Sequence, residues 1–124
     1  MIGDSRSVFY GDKHEEVVRQ GVLAMANVLY GDNTSEKESL LLCLDKYMDP
    51  HYGFELPDKD EIELLLQQVI ISQNTLGVKE DALGLLTSYA WSPFEVLRDN
   101  LDKIELVLLP DVLYALNMDK DGDM

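Results

Sequence analysis

VKEDALGLLTSYAWSPFEVLRDNLDKIELVLLPDVLYALN, residues Val78–Asn117, is the stretch whose pattern decides the fold. Apolar residues stand at 78, 82, 85 and 89, and again at 94, 97, 101, 104 and 108. Steps alternating between four and three keep one side of a helix apolar. The pattern predicts one amphipathic helix from Val78 to about Ala90 and a second from Phe94 to Leu108. Ser92-Pro93-Phe94-Glu95 marks the joint between them. Serine caps, proline suits the first helical position, and Glu95 can reach back to close a capping box. Pro110-Asp111 opens a third, shorter helix, with Val112, Leu113 and Leu116 inward.

The same signals recur upstream. Asp12 and Glu15 have capping-box spacing, and the helix behind them places Val18, Val22, Met25 and Leu29 on one face until Gly31 ends it. Ser35 and Glu38 open a helix running to about Met48, with Leu40, Leu41, Leu44, Tyr47 and Met48 inward, and Pro50 stops it. Residues 49–57 form the longest irregular connection, and their Tyr52 and Phe54 predict a loop folding back on the core. Asp58 and Glu61 cap the next helix, whose inner side is Ile62, Leu65, Leu66, Val69 and Ile70. Residues 1–11 read as an N-terminal arm, and 119–124 as a polar tail that frays. No stretch alternates with period two for long. The expectation is an all-α chain of about six helices, forming a single helical domain over residues 1–124.

Nearly half of the 124 residues are hydrophobic, so a packed core is within reach. The net charge is -14, with 10 acids against 5 bases in residues 1–57 and 14 against 5 in residues 58–124. This balance repels nucleic acid and anionic membrane and attracts basic surfaces. It also keeps a cytosolic protein soluble, which is the plainer reason for it. Cys43 is the one cysteine and sits in the apolar run Leu40–Leu44, where a buried structural thiol is expected. With no secretory signal and no apolar run of membrane-spanning length, the expectation is a soluble, cytoplasmic protein.

Chemistry-bearing motifs are missing. Asp119-Lys120-Asp121-Gly122-Asp123 imitates the start of a calcium loop, but Met124 stands at the sixth position, where such a loop needs glycine. His14 and His51 lie far apart in sequence and make no metal set. There is no glycine-rich phosphate loop, no Gly-x-Ser-x-Gly elbow and no pair of histidines on one helix face. The expectation is a protein that is not an enzyme and uses no metal or cofactor.

The acids do form patterns. On the helix expected after Pro93, Glu95, Asp99 and Asp102 project nearly opposite the apolar face, and Glu105 lies on its flank. Acids near that helix's C-terminal end oppose the macrodipole, so they do nothing for the helix itself. Asp58, Asp60, Glu61 and Glu63 form a second cluster, which the dipole at a helix N-terminus explains equally well. Either set reads as a surface for a basic partner or as an ordinary solvated face. Trp91 and Tyr89 at the joint and Tyr52 in the long loop are candidate aromatic anchors; Trp91 reads equally as a core plug.

Glu38–Leu44, Glu80–Leu86 and Pro110–Leu116 align as a weak repeat. The pair of helices at 60–72 and 78–90 resembles one HEAT-type unit, with Val78-Lys79-Glu80-Asp81-Ala82-Leu83 similar to that family's inner-helix motif. A HEAT-like solenoid and an irregular helical bundle both remain open. With its acidity and its lack of catalytic motifs, the chain resembles bacterial toxin-immunity proteins of the contact-dependent inhibition type. The resemblance rests on residues 58–117 and on overall character. It implies an inhibitor that covers the active cleft of a cognate toxin, a basic nuclease in the expected case. Glu95, Asp99, Asp102, Glu105, the cluster from Asp58 to Glu63, Trp91 and Tyr52 would then be partner-binding residues. The alternatives are a helical-repeat adaptor or scaffold that binds a peptide or protein, and a phage-type nucleic-acid mimic.

Overall fold

A computed structural model describes residues 10–56, 58–89 and 94–121, with side chains as far as Leu116. Every regular element among the described residues is helical, as the capping signals and apolar spacing predict. The chain divides into two compact units, residues 1–57 and 58–124.

The first unit holds α1 (Asp12–Gln20), α2 (Val22–Leu29) and α3 (Thr34–Met48), followed by a 3₁₀ turn at Pro50–Tyr52. Val18, Met25 and Leu29 are buried as their spacing predicts. The expected single helix through them is nevertheless broken. Gly21 adopts φ 111°, ψ -172°, a conformation that side chains with a Cβ rarely take, so the chain is redirected between α1 and α2. The apolar period crosses this break because both short helices pack against α3. Buried on α3 are all five residues expected there, with Cys43 between them.

Two caps sit elsewhere than the spacing placed them. Gly11, not Asp12, is the residue before α1, and its N–H donates to His14 Nδ1 at 2.9 Å. With Nδ1 accepting, His14 Nε2 carries the hydrogen and donates to Glu36 Oε1 at 3.1 Å. On α3 the cap is Asn33, whose side chain accepts from Glu36 N–H at 3.1 Å. Asparagine is at least as good a cap as serine, so the earlier position wins.

The second unit holds α4 (Lys59–Ile71), α5 (Leu76–Tyr89), the short α6 (Glu95–Asp99), a 3₁₀ turn at Leu101–Lys103, and α7 (Leu109–Asp121). The two longer helices α4 and α5 pack along each other. Lys59 Nζ at the start of α4 donates to the carbonyl of Tyr89 at the end of α5, 3.3 Å away, so the pair is antiparallel. Ile62, Leu65, Leu66, Val69 and Ile70 are all buried, as are Val78, Ala82 and Leu85. Asp58 does precede α4, but in a left-handed conformation (φ 58°, ψ 37°) without a side-chain cap. Ser92 of the fourth expected capping box lies outside the described residues, and the residue before α6 is Phe94.

The largest departure is the helix expected from Phe94 to Leu108. It ends at Asp99. Asn100 Nδ2 donates to the Val96 carbonyl at 2.8 Å, taking the acceptor that the next helical N–H would use. Its own N–H turns to the Leu97 carbonyl at 3.2 Å. A short amide side chain that competes with the backbone in this way stops a helix. Phe94, Leu97, Ile104 and Leu108 are buried all the same, and Leu101, in the 3₁₀ turn, is only half-buried. On α7 Val112 and Ala115 are buried while Leu113 points outward, and the helix runs through Asp121, so the first part of the expected tail is helical.

Candidate protein-binding surface

Glu95 opens α6 and Asp99 closes it, four residues apart and therefore on one side of the helix. Asp102 follows in the 3₁₀ turn. All three are exposed, and among the described residues none pairs with a cation or forms a side-chain hydrogen bond. They are thus brought to one short segment, but not onto one continuous helix face.

What anchors this segment was not visible in the sequence. A five-residue helix cannot stand alone, because it leaves most of its backbone donors unsatisfied. Gln67 of α4 supplies the missing cap from a distance. Its side-chain oxygen accepts from the N–H groups of Val96 at 3.0 Å and Leu97 at 3.3 Å. Gln67 is buried, as is Glu63 one turn before it on the same side of α4. This corrects the reading of Glu63 as part of an exposed acidic cluster. The residues at 62, 65, 66, 69 and 70 form the inner side of α4, and 63 and 67 are covered as well, Gln67 by its contact with α6. Asp58, Asp60 and Glu61 stay exposed at the start of α4.

Glu105 is set apart from the other acids. Its Oε1 lies 3.2 Å from Nζ of Lys79, whose side chain is buried on α5. A buried ammonium needs such a partner, so Glu105 has a structural task within the unit. Lys79 and Lys59 are both engaged inside the unit, at Glu105 and at the Tyr89 carbonyl. Neither charge is turned toward Glu95, Asp99 or Asp102.

Of the aromatic candidates, Tyr52 is well exposed in the 3₁₀ turn of the first unit. It borders an open cavity of about 230 Å³ with Tyr10, Leu42, Asp45, Lys46 and Asp49. Phe54, not Tyr52, folds back onto the core, its ring centroid 4.5 Å from that of Tyr47. Lys46 Nζ lies 5.4 Å from the Phe54 ring and 3.7 Å from Glu15. Tyr47 donates its hydroxyl hydrogen to Glu15 at 2.9 Å, and that bond holds the Glu15 carboxyl below its ordinary range. Burial pushes the Cys43 thiol up to about 11, with the Glu15 charge adding to the effect. This environment makes the thiol inert. Trp91 lies outside the described residues.

The second unit also carries a groove that no motif marked. A cavity of about 300 Å³ opens between α5 and the start of α7, lined by Glu80, Leu83, Gly84, Thr87, Leu108, Asp111 and Tyr114. The turn that carries Leu108 exposes Leu106 and Val107, and Tyr114 is two-thirds exposed on α7. Among the described residues no cluster of histidine, cysteine and carboxylate side chains is arranged to hold a metal, and no helix is long and apolar enough to cross a membrane. Family models, curated proteins and solved structures all lack a match to this chain.

Proposed function

We propose that this chain acts by binding and without turnover: it is an acidic helical inhibitor that covers the cleft of a basic bacterial toxin in the cytoplasm, as toxin-immunity proteins do. The observation that carries this reading is the set of exposed carboxylates Glu95, Asp99 and Asp102, none of which pairs with a cation among the described residues, although Arg98 and Lys103 lie on the same segment. They are held on a segment whose geometry is enforced from below by Gln67. Carboxylates on a firmly held surface steer a basic partner into register and speed encounter. A nuclease cleft, shaped to attract phosphates, offers the complementary charge. Asp58, Asp60 and Glu61 add a second negative patch to the same unit. The test is isolation of the tagged chain from its own host, identification of the protein that accompanies it, and co-expression of the two. The expected result is a one-to-one complex with a basic protein that is toxic alone and harmless in the complex. Turnover of a small molecule by the isolated chain, with no protein partner, would refute it.

A second reading is favoured by the groove between α5 and α7. A helical adaptor would bind a peptide through such a trough, and replacing Glu95, Asp99 and Asp102 would leave its affinity unchanged. Binding to a toxin cleft through the carboxylates would weaken steeply as salt is added.

A further inference from the structure

Gly84 occupies the interior of α5, well away from either end. Glycine is among the residues least suited to a helix interior. Packing does not require it here. A Cβ built on Gly84 would meet nothing within 4 Å, and the residue is exposed. What its missing side chain does is leave open the groove whose bottom is formed by the buried Leu83 and Leu108 and one wall by the exposed Tyr114. The groove therefore combines an apolar floor, an aromatic wall and a point where a foreign chain can come close to the α5 backbone.

Its rim is acidic, with Glu80 on the α5 side and Asp111 on the α7 side, and among the described residues none of its lining is basic. That charge selects among possible occupants. A second copy of this chain would bring the same acids and a net charge of -14 against them. An anionic lipid surface or a nucleic acid would meet the same repulsion. An apolar side chain flanked by lysine or arginine would find its stem in the trough and its charges opposite Glu80 and Asp111.

We propose that this groove is the docking site for an amphipathic helix of a partner protein, presenting one leucine or aromatic anchor flanked by lysine or arginine. Helix-in-groove recognition uses this division of labour, with an apolar anchor for affinity and charged flanks for register. The cavity is of a size for one or two side chains, not for a large small-molecule ligand. The proposal rests on the reading that the chain binds a basic protein, and it names the part of that partner which enters the groove.

The test uses the full chain and three synthetic helical peptides: one of leucine and lysine at amphipathic spacing, its leucine–glutamate counterpart, and a lysine-rich peptide without apolar residues. Binding is followed by fluorescence anisotropy and by amide chemical shifts. The leucine–lysine peptide should bind most tightly and shift the resonances of Leu83, Gly84, Thr87 and Tyr114. Gly84→Leu fills the trough and should weaken that binding at least about tenfold. The paired change Glu80→Gln with Asp111→Asn should weaken it and flatten its salt dependence. Circular dichroism of each variant separates loss of binding from loss of fold, and the surface charge variant stands in should Gly84→Leu misfold. Equal binding of the leucine–glutamate peptide would overturn the proposal, as would a leucine–lysine complex untouched by either variant. So would self-association of the chain that Gly84→Leu abolishes. Should the lysine-rich peptide bind as tightly as the leucine–lysine one, with shifts at Glu95, Asp99 and Asp102, the groove is refuted while the acidic-inhibitor reading stands.

Discussion

Replacing Gln67 with Leu tests whether one side chain on α4 holds the acidic segment in place. Leucine preserves most of the volume and removes the acceptor. Two backbone donors then lose their partner: Val96 N–H, which is partly buried, and Leu97 N–H, which is buried. A donor that water can still reach loses about 1 kcal/mol of net hydrogen bonding, whereas a buried one left unsatisfied costs about 1–3 kcal/mol. Together they amount to about 2–4 kcal/mol, a large part of the stability of an ordinary domain. The cost is felt locally first. The α6 segment should detach more often, so the amides of Val96 and Leu97 should exchange hydrogen faster while those of Leu66 and Ile70 on α4 change less. Binding to a basic partner should fall as well, since Glu95 and Asp99 are then no longer held in register. Urea denaturation gives the global change and amide exchange the local one. A loss below about 0.5 kcal/mol, within the range of ordinary surface substitutions, together with unchanged exchange at Val96 and Leu97, would refute the claim that Gln67 caps α6.

Other consequences can be checked alongside it. The triple variant Glu95→Gln, Asp99→Asn, Asp102→Asn should stay within about 0.5 kcal/mol of wild type in stability, because these groups are exposed and have no partner among the described residues, yet it should associate more slowly with a basic partner in stopped-flow mixing at low salt. The same substitution should act in opposite directions at two glycines: Gly84→Ala should stabilise by up to about 1 kcal/mol, since α5 gains a better helix former in open space, and Gly21→Ala should destabilise by about 1–3 kcal/mol, since φ is 111° there, both read by thermal or urea melts. Tyr47→Phe removes the bond that lowers the Glu15 pKa. A depressed carboxyl contributes stability that is fully present above its unfolded value, near 4.5, and lost as pH falls through the folded one, so the gap between Tyr47→Phe and wild type should be full at neutral pH and shrink below pH 4.5 in a pH series of melts. Cys43 should resist thiol reagents in the folded chain and react on unfolding, its thiol being pushed up to about 11 and fully buried.

Much of the architecture was legible in the residues alone. Hydrophobic spacing depends only on which side chains avoid water, so it identified nearly every buried position: Leu40, Leu41 and Leu44 on α3, Ile62 to Ile70 on α4, and Phe94, Leu97, Ile104 and Leu108 beyond. The last four are buried even though they do not share one helix. Burial is a property of the face a chain segment turns inward, and a helix, a 3₁₀ turn and an extended residue in succession can turn the same residues inward. The breaks at Gly21 and Asn100 were not legible. A glycine or an asparagine inside an apolar period is compatible with a continuing helix, and local energies of about a kilocalorie per mole decide between the alternatives only once the neighbouring helices are in place.

The candidate site divides in the same way. Composition established a strongly acidic chain, and sequence placed Glu95, Asp99 and Asp102 within one segment. Only the tertiary structure turned Glu63 inward, tied Glu105 to Lys79, capped α6 with Gln67 and opened a groove over Gly84. Gln67 and Val96 are 29 residues apart, and Lys79 and Glu105 are 26 apart. Pairings at such separations leave no trace in local periodicity. They exist because packing brings a buried donor or charge to the one place where a polar side chain can satisfy it, and that requirement arises only when the helices meet.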